Sequence, residues 1–244
     1  MKAIILAGGK GKRLKGLHGG IPKVMLPVCG RPLLEHNLRY LKKQGIRDVI
    51  INLHYRPEMI RHFLKAKRNF GLRIHLSNEP RLLGTAGAVR KVRRQLGGQA
   101  FVVLYGDNLV DFNLKRMIRA HAHSRAIVTM GVYNPAESYW SGVAAGLVKQ
   151  DAQGRILGFE ERRSNQKIQG PQWVNGGLLI VSPQVFALMP RKKVCDFSKH
   201  VFPLLLRKKK HLQAVGGARY VLASDTTVAW KRTCRLARRL IRKS

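Results

Sequence analysis

Strands and helices alternate along the first half of the chain, and this alternation constrains the fold more than any other feature. Short apolar runs predict four buried strands, at 3–7, 48–52, 72–77 and 101–105. Amphipathic patterns between them predict helices at 32–44, 57–67 and 85–96. Because neighbouring parallel strands need a crossover, and a helix usually supplies it, this rhythm predicts a mainly parallel sheet with helices on both faces.

The second half has a different pattern, with more strands close together. Strands are predicted at 126–133, 143–149, 155–159, 174–182, 212–215 and 219–224. Helices are predicted at 197–209 and from about 226, and a loop from Arg162 to Gln172. We therefore expect an α/β fold, a Rossmann-like three-layer sandwich with a mostly parallel mixed central sheet. One domain at 1–244 is expected, divided near residue 125 into two halves.

The first predicted strand runs directly into a glycine-rich turn. Gly8, Gly9 and Gly11 follow it, and Arg13 and Lys23 lie further on. Glycine lets backbone N–H groups approach an anion closely, and Arg and Lys add charge-assisted bonds to phosphate oxygens. A plain turn is the alternative, because the spacing matches neither a P-loop nor a G-x-G-x-x-G dinucleotide motif. The turn on its own indicates a polyphosphate site only weakly.

Length and composition exclude several classes of protein. The chain has 244 residues, of which 45% are hydrophobic, enough to bury a full core. No apolar run approaches the roughly 18 residues that cross a bilayer, and the N-terminus lacks a signal-peptide pattern. Cys29, Cys195 and Cys234 have no metal-site spacing, and an odd number of cysteines fits free thiols in a reducing compartment. A cytoplasmic protein is expected.

The charge of the chain is unusual. Lys and Arg number 47 against 12 Asp and Glu, so the formal net charge is +35. Such a field attracts polyanions, including triphosphates and, without specificity, nucleic acid. No motif for specific nucleic-acid binding accompanies the charge, and the alternative is that these residues simply cover solvated helix faces.

Two stretches of the front half carry a resemblance to a known family. LAGGKGKRL at 6–14 and PKVMLPVCGRPLLEHNLRYL at 22–41 resemble the patterns L-A-G-G-x-G-T-R-L and P-K-x-x-L-P-V…G-K/R-P-L-L-E of the sugar nucleotidyltransferases. Lys12 departs from the usual Thr. The resemblance implies the nucleotidyltransferase fold, and transfer of a nucleotidyl group from a nucleoside triphosphate to a sugar 1-phosphate with release of pyrophosphate.

The resemblance also implies roles for residues of the front half. Arg13 would bind the β- and γ-phosphates and Lys23 the transferring α-phosphate. The stretch EPRLLGTAGA at 79–88 resembles the family's E-P-x-x-L-G-T-A-G-A and would lie against the base, although Gly84 and Thr85 could equally start a helix. The implied nucleotide-binding residues are Leu6, Ala7, Gly8, Gly9, Gly11, Arg13, Glu79, Gly84, Thr85 and Ala86.

Two aspartates are implied as ligands of Mg²⁺. Asp107 ends a predicted strand in a Gly-Asp-Asn turn, where the family places a metal-binding Asp; an ordinary turn residue is the alternative. Asp225 lies in YVLASDTTV at 220–228, which resembles F/W-x-D-I-G-T with Thr227 and Val228 replacing Gly and Thr. Capping the following helix is the competing role for Asp225.

The sugar 1-phosphate would bind to the back half, where the resemblance is weaker. The implied residues are Gly142, Glu161, Arg162 and Asn175. Arg162 replaces a Lys of the F-x-E-K pattern and keeps its charge, whereas Ser141 replaces the aromatic residue of Y-G-V.

The guanylyltransferases that act on mannose 1-phosphate resemble the chain most, through PLLEHNLRYL and LLGTAGA. A thymidylyl- or uridylyltransferase acting on glucose 1-phosphate is one alternative. A catalytically weak relative that binds nucleotides or polyanions is another, and a homo-oligomer is possible in either case. His121 and His123 lack a metal-ligand cluster and are expected to be solvated at a helix end; a surface helix is expected at the basic C-terminus rather than a membrane-bound one.

Overall fold

The computed structural model describes residues 1–9, 11, 14, 20–142, 146–161 and 172–241. The strands of this part of the chain are β1 (Lys2–Leu6), β2 (Pro27–Val28), β3 (Arg31–Pro32), β4 (Asp48–Leu53), β5 (Arg73–Asn78), β6 (Phe101–Tyr105), β7 (Asn108–Val110), β8 (Val128–Tyr133), β9 (Tyr139–Trp140), β10 (Gly146–Gln150), β11 (Ile156–Glu161), β12 (Trp173–Val181), β13 (Leu212–Val215) and β14 (Tyr220–Ala223). The α-helices are α1 (Leu33–Lys43), α2 (Pro57–Ala66), α3 (Thr85–Lys91), α4 (Arg93–Leu96), α5 (Leu114–Ser124), α6 (Val185–Leu188), α7 (Phe202–Arg207) and α8 (Thr227–Leu240).

The central sheet contains nine of these strands. Its order is β11-β10-β12-β6-β1-β4-β5, and β8 and β13 continue from β12 on a second path. Pairing is parallel from β6 through β1 and β4 to β5, and between β8 and β13; β12 and β11 pair antiparallel with every neighbour. Seven strands therefore share one direction and two oppose it. The expected mixed, mostly parallel sheet is confirmed.

Alternating residues of the strands pack on opposite faces of this sheet. Ile5 of β1 packs in a cluster with α1, α2 and α5, whereas Ile4 packs in a second cluster with α3, α4 and α7. A third cluster lies under α8 and includes Leu222 and Ala237. This arrangement confirms the three layers expected from the sequence, because each face of the sheet is covered by helices.

Several predicted elements differ in detail from the structure. The helix expected at 85–96 is divided into α3 and α4 at Val92, and the helix expected at 197–209 starts with a π-helical turn at Phe197–Val201. Strands β7 and β9 have no counterpart in the sequence-based prediction. Most of the loop expected from Arg162 to Gln172 lies outside the described residues.

A small second sheet has the order β7-β14-β9. β14 pairs antiparallel with β7, and Ala223 lies opposite Asn108. Residues 108–110 and 220–223 are thus fixed in register although more than a hundred positions separate them. The ends of these two strands determine where the residues just beyond them lie.

His121 contradicts the expectation of a solvated residue. It is buried in α5, with Nε2 2.9 Å from Ser182 Oγ and Nδ1 2.8 Å from Thr129 Oγ1. Ser182 donates its own proton to the Ala126 carbonyl, so Nε2 carries the proton and Nδ1 accepts from Thr129. The ring thereby pairs with the buried Thr129 hydroxyl and the partly buried Ser182 hydroxyl. His123 is exposed, as expected.

Burial lowers the pKa of His121 below its ordinary value, so the free energy of unfolding should fall in acid. In the unfolded chain, His121 takes up a proton below about pH 6.5, whereas the buried ring of the folded protein does so only at lower pH. The stability that the neutral ring contributes above about pH 6.5 is therefore lost as the pH falls through the folded pKa. We expect His121→Gln to lower the free energy of unfolding by about 1–3 kcal/mol at neutral pH. This difference from the wild type should become smaller toward about pH 5.5.

Urea unfolding at several pH values measures this difference. His123→Gln is the matched control, because the exposed neighbour is expected to change neither stability nor its pH dependence. A difference in free energy of unfolding between His121→Gln and the wild type that stays constant with pH contradicts the prediction.

No helix within the described ranges has both the length and the apolar character needed to cross a membrane.

Candidate active site

A cleft at the carboxyl ends of the parallel strands has two adjoining compartments. The first, the glycine compartment, has a volume of about 350 Å³ and is lined by Leu6, Gly8, Gly9, Asn52, Glu79, Leu82, Gly84, Thr85, Tyr105, Asp107, Val194 and Asp196. The second, the back compartment, has a volume of about 290 Å³, and its lining includes Gly146, Phe159, Glu161, Asn175, Lys199 and Asp225. Thr85, Tyr105, Asp107 and Asp196 line both compartments. A ligand can therefore extend from one compartment into the other.

The small β7-β14-β9 sheet brings Asp107 and Asp225 together. Asp107 immediately precedes β7, and Asp225 lies two residues beyond β14, so the antiparallel register places both at one end of the ladder. The Ser224 N–H also donates to the Asp107 carbonyl at 3.1 Å. Capping of α8 is not the role of Asp225, because the Thr226 hydroxyl accepts from the Ala229 N–H and is the N-cap.

Lys23 lies between the two aspartates. Its Nζ is 2.5 Å from Asp107 Oδ2 and 2.5 Å from Asp225 Oδ1, and its side chain is 9% exposed. Burial alone would lower the pKa of Lys23, but the two carboxylates hold it above its ordinary value. The ammonium group therefore stays protonated at neutral pH, and it neutralises much of the charge that the two carboxylates would otherwise share.

The two aspartates suit a hard divalent cation. Their oxygens converge within hydrogen-bond distance of one atom, so a single ion at that place would contact both carboxylates. Mg²⁺ is commonly held by one or two carboxylates together with substrate phosphates and water. Among the described residues, no group of three or more His, Cys, Asp or Glu could hold a metal by itself. The residues present fit a Mg²⁺ that a nucleotide helps to bind.

Glycine is required where β6 leads into Asp107. A Cβ at Gly106 would lie 2.7 Å from the Leu6 carbonyl oxygen, and the Gly106 N–H donates to that same oxygen at 3.0 Å. The close approach of the two strand ends places Asp107 beside the residues that follow β1. In this way the Gly-Asp-Asn turn and the glycine turn share one cleft.

The glycine turn contributes to the cleft through some of its residues. Leu6, Gly8 and Gly9 line the glycine compartment. The Ala7 N–H is already taken by Asn52 Oδ1 at 2.7 Å, so Ala7 supports the turn and is buried. Gly11 lines neither compartment, and Arg13 lies outside the described residues.

Glu79 is a buried carboxylate in the wall of the glycine compartment. Its Oε1 accepts from Asn52 Nδ2 at 2.9 Å and its Oε2 from the Leu83 N–H at 3.2 Å. Gly84 and Thr85 follow it in the same wall, and Thr85 begins α3. Ala86 is fully buried in the core and lines neither compartment. Both interpretations of 84–85, a ligand wall and a helix start, are therefore compatible.

The back compartment holds part of the expected sugar-phosphate site. Glu161 and Asn175 line it, and Asn175 Oδ1 is held by the Gly177 N–H at 3.0 Å. Gly142 lies instead near the Arg232 side chain of α8, outside the lining residues described. Arg162 lies outside the described residues.

Sequence reasoning missed Asp196 and Tyr105, which line both compartments. Asp196 Oδ1 accepts from the Thr85 N–H at 3.0 Å and from the Thr85 hydroxyl at 3.4 Å. Its position before a predicted helix, in a chain with 12 acidic residues, was the available signal. Tyr105, as the last residue of a buried strand, gave no signal beyond its apolar pattern.

Comparison with known proteins agrees with this geometry. The sequence pattern of the family described as "Nucleotidyl transferase" matches residues 2–231, nearly the whole chain. The chain belongs to the nucleotidyl transferase family. The expected resemblance to sugar nucleotidyltransferases is thereby confirmed.

Relatives of known name differ in the nucleotide they use. A D-glycero-alpha-D-manno-heptose 1-phosphate guanylyltransferase from Campylobacter jejuni is 35% identical over 186 residues, which are 76% of this chain and 78% of that protein. A UTP–glucose-1-phosphate uridylyltransferase from Synechocystis is 30% identical over 84% of this chain, and the match spans 55% of the relative. The chain thus covers about half the length of some relatives and more than three quarters of others.

Solved structures show the same fold. HddC from Yersinia pseudotuberculosis, complexed with GMP-PN, superposes with a TM-score of 0.80 at 22% identity, over 96% of this chain and 98% of that one. A putative glucose-1-phosphate thymidylyltransferase from Bacillus anthracis also gives a TM-score of 0.80, over 98% and 95%. At this identity the likeness establishes the fold, the nucleotidyltransferase fold expected from the sequence.

Proposed function

We propose that the protein transfers a nucleotidyl group from a nucleoside triphosphate to a sugar 1-phosphate and releases pyrophosphate. The observation that carries this proposal is the convergence of Lys23, Asp107 and Asp225 beside two joined compartments. One compartment would hold the nucleotide and the other the sugar phosphate. The sugar-phosphate oxygen attacks the α-phosphorus in line, a P–O bond forms to the sugar phosphate, and the bond to the β-phosphate oxygen breaks.

Residues of this chain would position and neutralise the reacting phosphates. The Gly8 and Gly9 backbone lets the triphosphate approach the end of β1, and Arg13 binds its β- and γ-phosphates. Lys23 turns from the carboxylates toward the α-phosphate oxygens, where its charge stabilises the transition state. Asp107 and Asp225 would hold Mg²⁺, which when bound supplies positive charge to the phosphate oxygens. No covalent bond to the protein is needed.

The acceptor would bind in the back compartment. Glu161 accepts hydrogen bonds from sugar hydroxyls, Asn175 contacts the same ring, and Arg162 holds the phosphate. Glu161 and Asn175 line the compartment, which supports their part of the proposal. Positioning of the two substrates in neighbouring spaces supplies much of the catalysis, because it converts a bimolecular reaction into one within a single complex.

GTP is the proposed nucleotide, with mannose 1-phosphate or a related sugar 1-phosphate as acceptor. A carboxylate accepts hydrogen bonds, and guanine presents two adjacent donors, N1–H and the N2 amino group, where uracil and thymine present one N–H between two acceptors. Glu79 provides such a carboxylate in the glycine compartment. Guanylyltransferases among the relatives support the same choice.

Changing Glu79 to Gln should therefore shift nucleotide preference. We expect kcat/KM for GTP to fall about 10- to 100-fold relative to UTP and dTTP, because Gln replaces one of the two accepting oxygens with a donating NH₂ group that cannot pair with a guanine donor. Competition between GTP and UTP in one reaction measures the ratio directly. Glu58→Gln, at an exposed position of α2, removes the same charge and should leave the ratio unchanged. An unchanged ratio in Glu79→Gln would assign base selection to other residues.

The experiment that tests the function follows pyrophosphate release. The protein is mixed with Mg²⁺, each nucleoside triphosphate in turn, and a panel that includes mannose, heptose and glucose 1-phosphates. Turnover with one pair and its loss in Asp107→Ala supports the proposal. Silence across the panel, together with salt-sensitive RNA binding, supports the catalytically weak relative that the substitutions at Lys12, Ser141 and Thr227 suggest.

We further propose that the two halves, 1–125 and 126–244, act as one nucleotidyltransferase domain in the cytoplasm. Strands from both halves join one central sheet, which supports the single domain. All three cysteines are free, which supports a reducing compartment.

A further inference from the structure

The junction between the two compartments contains polar groups that the proposed reaction does not use. Four residues line both spaces, and one of them, Asp107, belongs to the carboxylate pair that contacts Lys23. The others are Thr85, Tyr105 and Asp196. Any substrate that spans the two compartments must pass these side chains.

Asp196 is held in a fixed orientation at this junction. Its Oδ1 accepts both polar hydrogens of Thr85, and the Phe197 N–H donates back to the Thr85 hydroxyl at 2.9 Å. The Asp196 N–H donates to His200 Nδ1 at 3.0 Å. Its second carboxylate oxygen, Oδ2, has no hydrogen-bond partner among the described residues. The side chain is half-buried, so this oxygen belongs to a preorganised acceptor.

Glycine is essential for this contact. Gly84 has a φ of +77°, and a Cβ there would lie 2.5 Å from the Cys195 carbonyl oxygen and 3.0 Å from Asp196 Oδ1. The Gly87 N–H donates to that same carbonyl at 2.9 Å, and the Cys195 N–H donates to Leu83 at 2.8 Å. The segment that carries Asp196 is thereby fixed against the start of α3.

Tyr105 presents a buried hydroxyl group beside Asp196. The hydroxyl lies near Thr85 but makes no hydrogen bond of normal geometry with any residue the structure describes. A tyrosine hydroxyl can donate a hydrogen bond as well as accept one, so it can serve as a donor to a ligand oxygen. A buried hydroxyl without a partner is unfavourable, and a ligand group that pairs with it would be bound more tightly.

The chemistry of these two side chains defines the ligand group. A carboxylate accepts hydrogen bonds and repels phosphate, so its complement is a hydrogen-bond donor, and the donors that a nucleotide and a sugar 1-phosphate share are the hydroxyl groups of their rings. A phenol can donate to one oxygen while the neighbouring carboxylate accepts from the next. Adjacent hydroxyl groups on a sugar ring match this pair.

We propose that Asp196 and Tyr105 bind a pair of hydroxyl groups on a sugar ring at the junction of the two compartments. The inference rests on the proposed function, which brings two such rings into the cleft, the ribose of the nucleotide and the ring of the sugar 1-phosphate. Asp196 accepts from one hydroxyl and Tyr105 donates to its neighbour. Thr85 is a positioning residue, because it acts through Asp196.

Deoxygenated substrates test the assignment and identify the ring. Wild type, Asp196→Asn and Tyr105→Phe are compared with GTP, 2′-deoxy-GTP and 3′-deoxy-GTP, and with mannose 1-phosphate and its singly deoxygenated analogues. We expect Asp196→Asn to weaken binding of the parent compound about 10- to 100-fold, with a smaller loss in Tyr105→Phe. The variant and the wild type should bind the analogue that lacks the contacted hydroxyl equally well.

Calorimetric binding of each substrate by itself is the primary readout, and the split of kcat from KM is the second. Binding remains measurable if no substrate pair turns over, so failure of the proposed function and failure of this inference are distinguishable. If the variant and the wild type have equal affinity for a deoxynucleotide, the contacted ring is the ribose. If they have equal affinity for a deoxygenated sugar 1-phosphate, the contacted ring is that of the acceptor.

Two results overturn the inference. A loss in Asp196→Asn that is the same for parent and deoxy compounds means that Asp196 only holds Thr85, and no loss in either variant means that the junction does not contact a sugar. Glu58→Gln, which makes the same change of net charge at an exposed site, should bind all compounds as the wild type does. Tyr105→Phe removes one oxygen atom and keeps the test open if Asp196→Asn fails to fold.

Discussion

Replacing Asp107 with Asn should lower kcat by about a thousandfold while the fold is retained. The amide keeps the shape of the side chain and can still accept a hydrogen bond from Lys23. It loses the negative charge that binds a divalent cation, and Asp225 alone cannot replace the charge of two carboxylates. Steady-state pyrophosphate release with varied Mg²⁺ measures the effect, and circular dichroism checks the fold.

Asp111→Asn is the matched control. Asp111 lies four residues along the chain, is 42% exposed and forms a surface ion pair with Arg219 at 3.3 Å. Its loss should change kcat less than twofold, because exposed ion pairs contribute little. Should Asp107→Asn keep activity within a few-fold of the wild type, the two carboxylates would not be the metal ligands of the reaction.

Replacing Lys23 with Met should make the stability of the protein depend on a divalent cation. Without the ammonium group, Asp107 and Asp225 face each other across a space of a few ångströms with side chains only 30% and 17% exposed. Removing one partner of such a buried cluster costs about 3 kcal/mol. Bound Mg²⁺ would replace the missing positive charge, so it should restore much of this loss.

Thermal unfolding with EDTA and with millimolar Mg²⁺ measures this dependence without any substrate. We expect a large rise of Tm on adding Mg²⁺ to Lys23→Met and a smaller one in the wild type, where the ammonium group already neutralises the carboxylates. Lys43→Met, the same change at an exposed position of α1, should behave as the wild type does. Activity of Lys23→Met should also fall about a hundredfold or more, because a charge at the α-phosphate is lost. A Lys23→Met variant that loses stability and shows no rise of Tm with Mg²⁺, either alone or together with GTP, would contradict a cation site between the aspartates.

The layered fold could be predicted from sequence because local patterns encode it. The apolar run at 101–105 predicts a buried strand, and the structure has β6 there. The spacing of Leu34, Leu38 and Leu41 predicts one apolar helix face, which is the buried face of α1. The π-helical turn at Phe197–Val201 could not be read this way, because apolar spacing does not distinguish it from the first turn of an α-helix. The prediction for His121 was wrong for a related reason. Its partners, Thr129 and Ser182, lie outside α5, 8 and 61 positions further along the chain, so the pattern of the helix alone does not show that this polar side chain is buried.

The site could be predicted where a residue follows a strand and belongs to a recognisable motif. Asp107 and Asp225 are such residues, and the structure brings them to one point as the motifs imply. Asp196 is different, because its contact with Thr85 spans 111 positions and depends on Gly84 accommodating the Cys195 carbonyl. No local pattern contains that information. Gly142 was chosen by resemblance to the Y-G-V motif, in which Ser141 replaces the aromatic residue, and it is not among the residues that line the two compartments.

The pairing of Ala223 with Asn108 has a consequence for how the length of related chains can vary. Successive residues of a strand point to opposite sides and advance by about 3.3 Å, so one residue gained or lost within β7 or β14 would move a carboxylate out of reach of its partner. Surface turns elsewhere carry no such constraint. Insertions and deletions among natural variants should therefore accumulate in the turns and be absent from these two short strands, even where their side chains change freely.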